Sequence, residues 1–237
     1  MGAEQCAEHD LRRLILPGVT ALTFFCLFIA LGVWQLHRLK WKEGIIAEIR
    51  AAQVAAPVTM PEKPSPFEKV FVTGTWVPGK AALYGQIVHD TPDGPVSGGE
   101  LIMPLRRPGG QILLVDLGWM QESMPVPLAN PPAAPSGYIH ASIDRDFFSP
   151  PDDPAKGHYY TLDPAVIGRG MGLENVAPYM LIAMGPKPPP GSPLPQPAQD
   201  LPTPPNNHYG YALTWFGFAG VLVFEFIFIA RKRLLSP

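Results

Sequence analysis

Few residues in this 237-residue chain are placed to do chemistry, and the best placed stand at the ends of two apolar runs. His208 opens the second run, in the stretch Asn206-Asn207-His208-Tyr209-Gly210-Tyr211-Ala212-Leu213-Thr214-Trp215-Phe216. An imidazole at that mouth could ligate a haem iron; its plainer role is to cap the run together with Asn206 and Asn207. Glu225 lies well inside the same run, where an ionisable group is costly and invites a functional reading. Its plainer role is a protonated carboxyl packed against another helix. Trp34, Gln35, Arg38 and Trp41 mark the outer end of the first run. Aromatic and cationic residues there anchor a helix at a bilayer interface. A facing His and Arg could alternatively hold a haem and its propionates.

The remainder offers little reactivity. There is no glycine-rich phosphate loop, Gly-x-Ser-x-Gly, Cys-x-x-Cys or His-Glu-x-x-His. Asp144, Asp146, Asp152 and Asp153 lack the alternating spacing of a calcium loop and read as turn residues among prolines. His89 and His140 have no partner at ligand spacing and read as solvated or partly buried side chains. The two cysteines, Cys6 and Cys26, make neither a disulfide framework nor a metal spacing. With no paired acid–base constellation and no cysteine in the middle of the chain, no enzyme is expected. With a net charge of −2, nothing suggests nucleic acid as a partner.

The elements that carry these residues follow from hydropathy. Only 16% of residues are charged, against about 25% in ordinary soluble proteins. Residues 1–13 form a polar tail ending in Arg12-Arg13, and 14–36 an uncharged apolar run. That run is too long for a signal peptide, whose apolar core is about 7–15 residues, so a retained transmembrane helix is expected. Pro17 and Gly18 fall in its first turn, where proline costs least. Residues 37–56 continue the helical period through Trp41, Ile45, Ile46 and Ile49, and Pro57 should stop it. A second span covers 208–230, and 231–237 is a basic tail led by Arg231-Lys232-Arg233. Tyr209, Tyr211 and Trp215 crowd its first turns at headgroup level. Two spans place both termini on one side, and the basic tails favour the cytoplasm. The central domain would then be periplasmic, in a two-pass protein of a bacterial inner membrane.

Residues 57–184 read as β-rich. Strands are expected at Val70–Val77, Ala81–Val88, Gly137–Ile143, His158–Leu162 and Ala177–Met184, and a hairpin joins Leu101–Leu105 to Gln111–Val115. Asp93-Gly94 and Gly98-Gly99 mark a loop. Asp163-Pro164 reads as an N-cap followed by proline, opening a short helix to about Arg169. Residues 185–207 are proline-rich and are expected to span distance rather than pack. The fold class is therefore an α+β membrane protein: two transmembrane helices bracketing an antiparallel, barrel- or sandwich-like domain with a minor helix.

Several motifs, in order, resemble one family. Gly32-Val33-Trp34-Gln35-Leu36 with Arg38 and Trp41-Lys42 resembles the first membrane signature of the Surfeit (Surf/Shy) assembly factors of cytochrome c oxidase. Phe67-Glu68 with Val70, Val72 and Gly74, then Leu113-Leu114-Val115-Asp116 with Gly118-Trp119, resembles its domain motifs. Asn207-His208 with Tyr211-Ala212-Leu213-Thr214-Trp215-Phe216 is similar to its second membrane signature. Leu117 stands where the family usually has arginine. The resemblance implies a factor that assists delivery of haem a to subunit I of the oxidase, binding the haem transiently and catalysing nothing. It implies His208 as the iron ligand, with Arg38, Trp34, Tyr211 and Trp215 around the cofactor. Subunit I is the implied partner, beside haem a synthase, other oxidase assembly factors and the bilayer. The alternative is a cofactor-free membrane chaperone or accessory subunit that stabilises subunit I through its β domain.

Overall fold

The computed structural model describes residues 2–91, 94–124, 126, 128, 131–142, 145, 149–189, 192 and 194–235; for residues 2–14, 91 and 233–235 it describes the backbone alone. Asp93, Asp144, Asp146 and Ile143, which the turn and strand expectations above include, lie outside the described residues. The chain forms two compact units. One comprises residues 1–47 and 203–237, the other residues 48–202.

The first unit is helical. Helix α1 runs over Gly2–Val54, so the polar tail is helical too, and Pro17 lies inside the helix rather than in its first turn. Its apolar part passes for a membrane span by length and composition, as does the C-terminal helix over His208–Lys232. Large apolar side chains on both stand in the open, Leu22 at 63% and Phe224 at 67% exposure. Lipid tails are as apolar as these side chains, so such a surface is at rest in a bilayer. Two such helices flanking a β domain make this a membrane protein of the α+β class.

The second unit holds strands β1 (Val58–Thr59), β2 (Lys69–Phe71), β3 (Thr75–Trp76), β4 (Ala82–Thr91), β5 (Gly94–Arg106), β6 (Ile112–Gln121), β7 (Ser136–Ala141), β8 (His158–Tyr159) and β9 (Val176–Ala183). They form one sheet in the order β1-β2-β7-β9-β6-β5-β4-β8, with β3 also paired to β5. The sheet is mixed. β1·β2, β4·β8 and β6·β9 run parallel and the other named pairings antiparallel. Only residues 72–74 separate β2 from β3, so the circuit β2-β7-β9-β6-β5-β3 returns on itself through the chain. This closure favours a barrel-like arrangement over two stacked sheets. It also explains why the single strand expected over Val70–Val77 is broken: its two halves pair with different neighbours. Gly74 sits at the break, where a Cβ would lie 3.0 Å from the Leu105 side chain and closer still to the Arg106 carbonyl.

Inside the curl, alternate residues converge: Val70 and Val72, Leu101, Met103 and Leu105, Leu113, Val115 and Leu117, Ile139, Leu181 and Ala183. The period-2 pattern of these segments puts one set of side chains on one face. β6 is buried along nearly its whole length, so its opposite set, Ile112, Leu114 and Asp116, is covered as well. Helix α2 (Pro164–Gly170) packs on that side against β9. Asp163 caps it, its Oδ1 accepting from Ala165 N at 2.8 Å. Gly98 and Gly99, expected in a loop, lie within β5; a Cβ at Gly98 would press 2.6 Å from the Trp119 ring. The proline-rich segment also departs from expectation, because it packs. Gln196 bridges to Trp119 and Ala198 to Met184, and Leu201 is 4% exposed. At the two ends of this unit, Gln53 donates to Asp200 Oδ1 (3.0 Å), accepts from Leu201 N (2.9 Å) and, through its carbonyl, from Lys69 Nζ (2.7 Å).

Candidate functional site: a tethered histidine and a buried acid pair

The C-terminal helix α3 (His208–Leu235) begins at the histidine the sequence singles out. Its Nδ1 lies 2.7 Å from Gln35 Oε1 on α1. An amide oxygen can only accept, so Nδ1 donates to it, and in the neutral tautomer with this contact Nε2 holds the lone pair. Gln35 is nearly buried, at 9% exposure, which fixes the ring orientation. Asn206 Oδ1, two residues before, is buried without a hydrogen-bond partner.

Below this contact the two helices close tightly. Gly32, Ala212 and Ala219 are buried small residues, the composition that lets membrane helices approach. A Cβ on Gly32 would sit 2.5 Å from the Phe216 ring. Phe28 stacks on Trp215 at 5.8 Å between centroids, and Phe218 meets both. A groove along the seam, near Gly18, Phe25 and Phe226, holds about 190 Å³. Where Gly32 meets Phe216 and Phe28 meets Trp215, the packed seam leaves no room for a flat macrocycle.

The other sequence-predicted residues scatter around this point. Trp34 and Tyr211 are about half exposed, at 52% and 57%. Trp215 belongs to the seam. The Arg38 guanidinium carbon lies 4.4 Å from the centre of the Trp41 ring, a cation–π contact within α1. Glu225 is exposed and, 17 residues along α3, about 25 Å from His208 at 1.5 Å per residue. Gln35 is the residue that the structure adds to this group.

A second constellation stands in the β unit, where none is expected from the sequence. The ladder sets Tyr84 opposite Glu100, Asp116 opposite Ile182, and Ile182 opposite Tyr138. Between β5 and β6 the register shifts, Glu100 facing Trp119 and Ile102 facing Asp116. This bulge brings the Glu100 and Asp116 carboxyls into a side-chain hydrogen bond. Gly118, at φ 104, supplies the bend and donates its N–H to Asp116 Oδ1 at 2.8 Å. Burial pushes the Glu100 carboxyl up to about 6, against a smaller lowering by the hydrogen bond with Asp116. Asp116, 4% exposed, is raised well above the ordinary range by burial first and by the charge of Glu100 second. Tyr138 is pushed up to about 12 by burial and by the same two acids. Burial thus favours the protonated form of both carboxyls.

These groups line a cavity of about 470 Å³. His140 also lines it. Its Nδ1 is buried with no partner of hydrogen-bond geometry, and burial lowers its basicity, offset only in part by the Ala141 backbone. His89 stacks on Trp119 at 4.1 Å between centroids, the planes 13° apart. The two histidines without sequence partners thus share one cavity with an acid pair. Among the described residues no three His, Cys, Asp or Glu side chains converge as a metal centre would need. Register was the missing signal: residues 100 and 116 are far apart in sequence, and only the bulge sets them together.

Comparison with known proteins covers both sites. A match to the SURF1 family spans residues 22–220. A SURF1-like protein of Monosiga brevicollis is 25% identical over 224 residues, covering 85% of this chain and 83% of its own length. One from Rickettsia felis is 27% identical over 227 residues, covering 92% and 98%. Human Surfeit locus protein 1 is 27% identical over 219 residues, covering 80% and 69%. The likeness runs from within the first membrane helix, through the sheet with its acid pair, to the helix that His208 opens, and the chain belongs to the SURF1 family.

Proposed function

We propose that this chain takes up haem a and assists its delivery to subunit I of cytochrome c oxidase, a finer form of the oxidase-assembly role that its family implies. The observation that carries the reading is the Gln35–His208 hydrogen bond. A metal-ligating histidine normally gives its second ring N–H to an acceptor, which sets the tautomer and the ring angle. Here the acceptor is in place and Nε2 has no other described partner. Arg38, one turn beyond Gln35 on α1, is available to pair with propionates, and the exposed Trp34 and Tyr211 offer apolar surface at the same helix end. Bound haem a would bring a redox-active, coloured iron; the protein's part is to bind it, orient it and let it go. On this reading, with the seam between the helices packed, the cofactor would lie on an outer face of the pair, accessible to a second membrane protein. The reading keeps the chain in a bacterial inner membrane with the β unit on the periplasmic side, as the basic tails favour.

The test is an absorbance spectrum of the detergent-purified protein, coexpressed with a haem a synthase. Soret and alpha bands are expected in the parent and absent in His208→Ala. Gln35→Ala should retain the ligand but weaken haem affinity roughly 10- to 100-fold, the usual cost of losing an outer-shell partner. No band in the parent, with subunit I still copurifying, would replace this reading with that of a cofactor-free chaperone.

A further inference from the structure

The carboxyl pair belongs to the β unit, and the haem reading makes no use of it. Two buried acids are costly unless a proton or a cation neutralises them. Among the described residues neither Glu100 nor Asp116 is ion-paired; the described ion pair is Lys156 with Asp153. They face a cavity of about 470 Å³, far more than a bare ion occupies. Tyr84, Tyr138 and Trp119 line it with aromatic rings. His140 adds a ring whose Nδ1 is shielded from solvent. Of the remaining titratable groups on the lining, His89 is turned into a stack with Trp119 and Lys187 is exposed.

We propose that this cavity is a binding site for a primary ammonium group, seated between the Glu100 and Asp116 carboxylates and against the surrounding aromatic rings. Carboxylates accept its N–H donors and aromatic faces attract its charge. A divalent metal would find two carboxylates and, among the described residues, no third His, Cys, Asp or Glu converging with them, too few ligands for its coordination shell. Binding is an exchange. The ammonium enters with its charge, a proton held by the acids leaves to solvent, and no other covalent bond is made or broken. The ammonium comes either from a small alkylamine or from a lysine side chain of a partner protein.

Calorimetry on the full chain in detergent at neutral pH tests this with three probes at matched ionic strength: pentylammonium chloride, Nα-acetyl-lysine amide and magnesium chloride. Each is titrated in two buffers of different ionisation heat, which counts released protons. At least one amine is expected to bind with proton release, and Glu100→Gln, nearly isosteric, should weaken it about tenfold or more. Binding of pentylammonium alone points to a small amine, and binding of the lysine derivative to a partner side chain. No binding by either amine, equal binding by magnesium, or unchanged affinity in Glu100→Gln would overturn the proposal. His208→Ala should bind the amines as the parent does, so failure here and failure of the haem reading are separate results.

Discussion

Glu100 gives the domain a pH dependence of unusual sign. Its carboxyl titrates near 6 in the fold against an ordinary 4.5, so the folded state holds the proton more tightly. That contribution is fully present below 4.5 and is lost as pH rises through about 6. One and a half pKa units correspond to about 2 kcal/mol, and Asp116 acts in the same direction. Denaturation midpoints should therefore fall between pH 4.5 and 7 in the parent more steeply than in Glu100→Gln; parallel slopes would refute the assignment. Gly118 is the second sensitive point. Its positive φ disfavours any side chain, and a Cβ would collide with the Gln196 carbonyl. Gly118→Ala should cost upwards of about 2 kcal/mol, read from urea midpoints. The sequence places Asp116 and Gly118 in a family motif, yet nothing in it pairs Asp116 with Glu100. His208 was legible because it opens an apolar run. Gln35 was legible as an interface residue but not as its partner, since that contact joins residues 173 apart.

Helices α1 and α3 were legible because a bilayer imposes length and apolarity together. The hairpin of β5 and β6 was legible from its Pro-Gly-Gly turn, where Gly109 and Gly110 both take positive φ. The glycines of β5 were misleading, because Gly98 and Gly99 yield space to Trp119 and to the β4 backbone rather than forming a turn. The parallel β6·β9 pairing was invisible, since it joins segments separated by β7, β8 and α2. The helix seam yields an expected outcome of its own. Gly32→Leu would drive a side chain into Phe216 and part α1 from α3 at that level. The His208 Nδ1–H should then lose Gln35, visible as a shift of the ring nitrogens in ¹⁵N NMR. An unchanged ring spectrum would mean that the contact survives without close packing.

At the level of the whole chain, two kinds of solvent explain two kinds of unit. The helical unit exposes Leu22, Val221 and Phe224 because lipid accepts them. The β unit buries Leu101, Leu113, Leu181 and Val70 completely because water does not. The proline-rich stretch joins the second group. Its Leu201 is buried and its Gln196 completes a bridge, so proline content alone misjudged it as a spacer. Gln53 sets how the β unit can be cut. One side-chain amide holds the residue that enters the unit within a hydrogen bond of Asp200 and Leu201, which leave it. The intervening polypeptide is a closed excursion whose ends already meet, the geometry in which circular permutation and domain exchange succeed. In the terms of a genome, the whole sheet is a cassette: a short splice from residue 53 to 201 would excise it without asking either flank to travel.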